Sequence, residues 1–220
     1  MLYNCSAATS YGMKIIFDFD YTLLDTNKLR EAIIEVFSGH GVSRDEFFKT
    51  LEESRGGGRD WKPSRQFEIL KESGVYKVDI IKKEFKTLLQ STDKFLYKDT
   101  APFVEDMRNH NFSLVTYGED SFQRMKTDGC SLFKKHFDKI VITQNLYKDK
   151  EVAELSAAEP AIFVEDNPAA LEATKKHAPH IKTVRINRGD GRYAQDPSRD
   201  GVDHEVKSLS EIKTIINESS

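Results

Sequence analysis

The distribution of apolar positions divides the chain into two kinds of region. Residues 14–17 form a short apolar run that ends abruptly at Asp18, which is typical of a buried parallel strand because both faces of such a strand are covered. Between Asn27 and Gln90 the apolar residues instead recur at helical spacing, with no convincing strand. This part is predicted to form four helices, at residues 28–38, 44–54, 64–71 and 78–89.

After Phe95 the pattern changes to an alternation of helices and strands. Helices are predicted at residues 102–109, 121–127, 150–156, 169–177 and 209–216, and strands at residues 112–115, 139–142, 161–164 and 182–186. Strands that alternate with helices form a parallel sheet with right-handed crossovers. We therefore predict an α/β fold, with a doubly wound, Rossmann-like parallel sheet core and an inserted four-helix cap domain.

The same pattern predicts the domain boundaries. We expect a loose N-terminal tail at residues 1–12, an α/β core at residues 13–26 and 95–220, and a helical cap at residues 27–94, inserted after the first strand. Residues 187–202 contain many turn-forming residues and are predicted to form a mobile loop. The cap loop at residues 55–63 carries two arginines, a lysine and the only tryptophan. It is either an element that selects the substrate or a flexible connector between helices.

Composition and charge argue against several classes of function. The 220 residues carry a net charge of −3, and basic residues are mixed with acidic ones rather than gathered in a stripe, so nucleic acid is not an expected partner. No apolar run approaches the ~20 residues that span a bilayer, and the first twelve residues do not resemble a secretory signal. Cys5 and Cys130 are too few for a disulfide framework. We therefore expect a cytoplasmic protein that does not bind membranes.

Polar residues follow three of the predicted strands. Asp18 and Asp20 come directly after the first strand, Thr116 follows the second, and the pair Glu165 and Asp166 follows a later one. The carboxyl ends of the strands are where an open α/β sheet places its ligand site. The sequence therefore predicts a single polar site that contains these five residues.

A lysine ahead of the last of these strands completes the set. Both Lys148 and Lys150 lie near the start of a predicted helix. Val152 and Leu155 follow Lys148 by four and seven residues, a spacing that suits a helix beginning just after Lys148, whereas Lys150 would lie inside the first turn. We therefore prefer Lys148 and keep Lys150 as the alternative.

Taken in order, these motifs resemble those of the haloacid dehalogenase-like superfamily, in its phosphatase branch. The matching positions are DFDYT at residues 18–22, Thr116, the lysine near residue 148, and Glu165-Asp166. The helical insert lies where that family carries its smaller helical type of cap. The last motif reads Glu-Asp-Asn and resembles the paired-acid variant of the family, because Ala170 stands where the common form has another acid.

The resemblance implies a phosphatase that uses Mg²⁺ and forms an aspartyl-phosphate. Asp18 would be the nucleophile. Asp20 would protonate the leaving group and then deprotonate the attacking water, for which its carboxyl needs a raised pKa. The metal ligands would be Asp18, Asp166 and, through its backbone carbonyl, Asp20. Glu165 would tune the metal without binding it directly.

The resemblance also implies how the substrate, a small phosphorylated metabolite, is bound. Thr116 would donate a hydrogen bond to a phosphoryl oxygen, and Lys148 would neutralise charge on Asp18 and on the phosphate. The backbone N–H groups of Phe19 and Tyr117 would complete the anion site.

Other activities of the same superfamily stay open at this point. A phosphomutase is one of them, and a phosphonate-cleaving enzyme, which would need a Schiff-base lysine from the cap, is another. Dehalogenation is disfavoured, because that branch lacks an acid at the position of Asp20. A non-catalytic binding or regulatory protein is disfavoured by the complete set of candidate catalytic residues.

Overall fold

The computed structural model describes residues 12–217, so the predicted tail lies outside the described residues apart from Gly12. Its six strands are β1 (Lys14–Phe17), β2 (Asn111–Tyr117), β3 (Phe137–Thr143), β4 (Ala161–Glu165), β5 (Lys182–Ile186) and β6 (His204–Val206). They form one sheet in the order β3-β2-β1-β4-β5-β6, and every neighbouring pair is parallel. The predicted α/β fold with a Rossmann-like parallel sheet is confirmed.

The register of the central strand positions the polar residues that follow it. Phe17 of β1 pairs with Leu114 of β2 on one side and with Val164 of β4 on the other. Residues just beyond these three positions therefore emerge together at the carboxyl edge of the sheet. Ile15 and Ile16 of β1 are fully buried, as expected for a strand that is covered on both faces.

Ten helices surround the sheet or lie between its first two strands in the described part of the chain. They are α1 (Thr26–Ser38), α2 (Arg44–Arg55), α3 (Pro63–Glu72), α4 (Val78–Leu89), α5 (Thr100–Asp106), α6 (Asp120–Asp128), α7 (Ser131–His136), α8 (Asp149–Ser156), α9 (Pro168–His177) and α10 (Leu209–Asn217). Ile15 and Phe17 face a large core that also includes the side chains of α5 and α10, whereas Ile16 faces a smaller core that includes α8 and α9. The sheet is thus covered on both faces, as a doubly wound fold requires.

Helices α1–α4 pack around a cluster of aromatic rings. The ring of Phe37 makes an edge contact with Phe47 at 5.0 Å and stacks on Phe67 at 5.6 Å, and Phe67 in turn contacts Phe85. The buried amide of Gln66 donates to the carbonyl of Phe47 at 2.8 Å, so this polar group is hydrogen-bonded inside the cluster. These four helices, which we call the cap below, lie where that domain is predicted, and the domain boundaries stay a prediction.

The sequence pattern missed three short elements. They are helix α7, a one-turn 3₁₀ helix at Thr92–Phe95, and strand β6. Each has only three to six residues, which is too short to show a hydrophobic period. In the described part of the chain, no helix is long and apolar enough to cross a membrane.

Gly129 lies where the end of the cap meets the core. A Cβ atom at this position would lie 1.7 Å from the carbonyl oxygen of Leu89, and the Gly129 carbonyl accepts a 3.0 Å hydrogen bond from the N–H of Thr92. We expect Gly129→Ala to lower the free energy of unfolding by about 1–3 kcal/mol, because either the backbone or α4 must shift. Urea denaturation measures this. Gly39→Ala is the control, since Gly39 has ordinary helical dihedral angles and its nearest contact would be 3.4 Å away; a similar loss in both variants contradicts the prediction.

Candidate active site

Lys148 joins two of the predicted site residues. Its Nζ donates to Asp18 Oδ1 and to Glu165 Oε2, each at 2.6 Å, and all three side chains are almost completely buried. Burial alone would lower the pKa of Lys148, but the two carboxylates raise it well above its usual value. Lys148 adopts a left-handed backbone conformation (φ +58°) directly before α8, whereas Lys150 is exposed within the helix. The structure thus brings Lys148, and not Lys150, to Asp18.

The carboxylates around this lysine form a cluster that fits a metal ion. Asp18, Glu165 and Asp166 each have an oxygen within 4.8 Å of the other two. Glu165 already accepts from Lys148 and, at 3.1 Å, from the N–H of Asn167. Asp166 Oδ2, in contrast, is buried and finds no hydrogen-bond partner among the described residues. Oxygen ligands are those that Mg²⁺ prefers, and the free oxygen makes Asp166 a better ligand than Glu165.

The buried charges in this cluster do not balance. Three carboxyl groups face one ammonium group in a site that water hardly reaches. Burial, followed by repulsion from Glu165, raises the pKa of Asp18 to about 7, and burial with the charges of Glu165 and Asp18 raises that of Asp166 well above its usual value. A bound divalent cation would remove this excess of negative charge.

We expect Mg²⁺ to stabilise the protein more at pH 8 than at pH 6. Burial and repulsion raise the pKa of Asp18 from 3.8 to about 7. Between these two pH values the folded metal-free protein holds a proton that the unfolded chain releases, so its free energy of unfolding falls as the pH rises. Protons compete with the metal below pH 7. Thermal unfolding with Mg²⁺ or EDTA at both pH values measures the effect. Asp166→Asn should remove most of the gain, and an equal gain at both pH values would contradict the prediction.

Asp20 does not join the carboxylate cluster but pairs with a second lysine. Lys126 Nζ lies 2.7 Å from both carboxylate oxygens of Asp20, which also accepts from Thr26 Oγ1 at 2.9 Å and from Gln123 Nε2 at 3.3 Å. Burial alone would raise the pKa of Asp20, but Lys126 and these hydrogen bonds lower it below its usual value. The expectation of a raised pKa is therefore wrong, because the ammonium group of Lys126 faces this carboxylate.

Lys126 is the main residue that the sequence pattern missed. It is 1% exposed, and its ammonium group lies 5.1 Å from the ring centre of Phe19 and 4.9 Å from that of Phe122. Gln123 and Lys126 are three residues apart, so they share one face of α6, which begins after the second strand. In the sequence, Gln123 and Lys126 could have been identified as candidate site residues because they are polar and share a helix face with the apolar Phe122.

Thr116 and Tyr117 lie at the end of β2, beside Asp20 and below the cap. The Thr116 hydroxyl donates to Gln123 Oε1 at 3.1 Å. Burial, followed by the nearby carboxylate of Asp60, raises the pKa of Tyr117 to about 12. The phosphoryl contacts predicted for both residues stay predictions.

A cavity of about 200 Å³ lies between these residues and the cap. The cap loop at residues 55–63 forms part of its wall, and Trp61 packs edge-on against Phe122 at 4.9 Å. The indole N–H of Trp61 donates to Gln66 at 2.6 Å, so this side chain fixes the loop as well as lining the cavity.

Residues 187–202 also reach the site, although they were predicted only as a mobile loop. A Cβ atom at Gly191 would lie 3.1 Å from Asp166 Oδ2, so the backbone here approaches the carboxylate cluster closely. The buried Arg185 donates to the carbonyls of Tyr193 and Asp196, each at 2.8 Å. This segment is thus tied to the core, and it places Arg192 and Tyr193 at the cavity.

No protein-family model and no curated protein matches this sequence. Among solved structures, a haloacid dehalogenase-like hydrolase of Burkholderia xenovorans is similar, with a TM-score of 0.73 and 18% identity over 94% of this chain and 98% of that one. The HAD-hydrolase YfnB of Bacillus subtilis, solved with magnesium, has a TM-score of 0.64 and 16% identity, and the match covers 94% of this chain and 100% of that one. An L-2-haloacid dehalogenase of Xanthobacter autotrophicus, with chloropropionic acid covalently bound, has a TM-score of 0.61 and 13% identity, and the match covers 95% of this chain and 100% of that one.

These similar structures agree with the architecture described above across almost the whole chain, including the helices between the first two strands. Their sequence identity is low, so the similarity establishes the fold and leaves the reaction to the residues of the site. The chain therefore has the fold of the haloacid dehalogenase-like hydrolases.

Proposed function

We propose that this protein is a Mg²⁺-dependent phosphatase that hydrolyses a small phosphate monoester through an aspartyl-phosphate on Asp18. The observation that carries the proposal is the buried carboxylate cluster, in which Asp166 keeps an unpartnered oxygen beside the Asp18–Lys148 pair. An anionic nucleophile attacks a dianionic phosphate ester only where cations offset their repulsion. Mg²⁺ bound by Asp18 and Asp166, with the backbone carbonyl of Asp20, would supply that positive charge.

The other side chains around Asp18 each have a separate role in the proposed reaction. Lys148 holds Asp18 in place and offsets its charge, and we expect the Thr116 hydroxyl, which donates to Gln123 in this structure, to donate to a phosphoryl oxygen instead. Asp20 is held as a carboxylate by Lys126, which suits it to take the proton from the attacking water in the second half of the reaction. Because the same pair disfavours a protonated Asp20, we expect substrates with good leaving groups to react fastest.

Dehalogenation is the second candidate, and the similarity to the Xanthobacter enzyme favours it. An Asp18 carboxylate beside Lys148 would also serve as the nucleophile for carbon–halogen cleavage. Such a reaction leaves the unpartnered oxygen of Asp166 and the Asp20–Lys126 pair without a role, which is why we prefer phosphate ester hydrolysis.

Two further activities were left open by the sequence. A phosphonate-cleaving enzyme needs a cap lysine, yet the lysines that line the cavity in the described part of the chain, Lys126 and Lys148, both belong to the core. A phosphomutase would use the same groups as a phosphatase and would return the phosphoryl group to a sugar phosphate rather than to water.

The test compares the two hydrolytic activities directly. The purified protein is assayed for phosphate release from 4-nitrophenyl phosphate with Mg²⁺ and with EDTA, and for chloride release from L-2-chloropropionate under the same conditions. We expect phosphate release that EDTA abolishes and no chloride release. Chloride release that persists in EDTA would replace the phosphatase by a dehalogenase.

A further inference from the structure

The cavity is rich in guanidinium groups. Four arginines line it: Arg30 of α1, Arg55 at the end of α2, Arg59 of the cap loop, and Arg192 of the loop at residues 187–202. The catalytic chemistry proposed above uses none of them. Cap and core thus both contribute cations to the same cavity.

These cations are not balanced by the acids around them. Two carboxylates, Asp60 and Glu119, line the same region. Glu119 accepts through Oε1 from Ser64 at 2.6 Å and from Ser121 at 3.2 Å, whereas Glu119 Oε2 and Asp60 Oδ1 are buried without a hydrogen-bond partner among the described residues. Two carboxylates can offset at most two of the four guanidinium charges.

The arginines themselves are short of partners. Within residues 12–217, no carboxylate forms an ion pair with Arg30, Arg59 or Arg192, although Arg30 donates to the side chain of Asn27. Arg55 pairs with Glu52 through one terminal nitrogen, while its Nε is buried and has no hydrogen-bond partner among these residues. A buried donor that lacks an acceptor costs free energy, and an anionic ligand would supply the acceptor.

The cavity also has apolar walls, formed by the side chains of Leu29, Ile33, Leu51, Phe122 and Leu146. A ligand in the cavity therefore meets the phosphoryl site at Asp18, apolar side chains and cations. The planar guanidinium group binds carboxylate and phosphate oxygens in pairs, which makes either group a suitable ligand.

We propose that the substrate carries a second anionic group in addition to its reacting phosphoryl group, and that these arginines bind it. This inference rests on the proposed phosphatase function and defines its substrate class. Arg59 of the cap loop and Arg192 of the loop at residues 187–202 are exposed and line the cavity, so we expect them to determine the specificity.

The test uses matched aryl phosphates whose ring carries a carboxylate, a second phosphoryl group or a neutral carboxamide, in the meta and para positions. Binding is measured calorimetrically with Mg²⁺ on the Asp18→Asn protein, and turnover on the unaltered protein. We expect an anionic probe to bind about tenfold or more tightly than its carboxamide. The double variant Arg59→Gln and Arg192→Gln should lose that preference, whereas Arg65→Gln, an exposed cap arginine outside the cavity, should keep it.

The possible outcomes separate the subsite from the reaction. Equal binding of all probes, no binding of any probe, or a preference that survives in the double variant with an unchanged melting temperature would each overturn the subsite. A preference for an anionic probe without any phosphate release would support the subsite and refute the phosphatase. The relative affinities of the carboxylate and bisphosphate probes then identify the second group.

Discussion

Asp18→Asn is expected to lower Mg²⁺-dependent phosphate release by at least about 10³-fold. The amide is nearly the same size as the carboxylate but cannot form the acyl-phosphate, and removal of a nucleophile costs this much or more in enzymes that depend on one. Phosphate release from an aryl phosphate, measured in excess Mg²⁺, gives the loss in kcat/KM. Activity within tenfold of the unaltered protein would refute covalent catalysis by Asp18.

The fold of this variant should be intact. Asp18 lies in a cluster with excess negative charge, so its neutralisation relieves repulsion from Glu165 and offsets the lost bond from Lys148. We expect an unchanged circular dichroism spectrum and a melting temperature close to that of the unaltered protein. Asp200→Asn is the control for the substitution and the preparation of a variant protein. Asp200 is exposed and does not line the cavity, so this variant should keep full activity.

Lys126→Met is expected to destabilise the protein by about 3 kcal/mol and to slow the reaction. Removing one partner of a buried ion pair leaves an uncompensated charge, and the lower end of the usual range applies because the Asp20 side chain is 25% exposed. The pKa of Asp20 should then rise, since burial is no longer opposed by the ammonium group. Chemical denaturation measures the stability, and the pH dependence of kcat/KM shows whether the carboxylate form of Asp20 now requires a higher pH.

A double-mutant cycle separates the ion pair from the packing of the lysine stem. In Lys126→Met combined with Asp20→Asn no buried charge remains, so the double variant should be more stable than Lys126→Met alone. Additive losses in the two single variants would show that Lys126 stabilises the fold through its contacts with Phe19 and Phe122 instead.

The sequence predicted the regular elements best where the hydrophobic period is long. The prediction for α4 matches its bounds, Val78–Leu89, because apolar residues recur over three helical turns. Strand β5 matches as well. Strand β3 extends beyond the predicted residues 139–142, because it lies at the edge of the sheet and the burial pattern there is weak. Hydrogen bonding to a neighbour, which the sequence does not encode locally, defines its ends.

The candidate site was predictable where it follows from strand register, and not elsewhere. Asp18 and Asp166 lie together because β1 and β4 are parallel neighbours, and a strand-end motif predicts that much. Lys126 and Arg192 reach the site from a helix and a loop whose placement depends on tertiary packing. Their roles depend on partners far away in sequence, which single-sequence periodicity cannot show.

The position of β1 in the sheet has a consequence for folding during synthesis. Its first residue, Lys14, pairs with Asn111 and Ala161, which are 97 and 147 residues further along the chain. The helices between β1 and β2 make contacts of much shorter range and can form as soon as they leave the ribosome. The apolar strand must wait until both of its neighbours have been translated, and meanwhile it is open to wrong pairings. Strand β1, which is translated before the other five strands of this sheet, is therefore among the last to be buried.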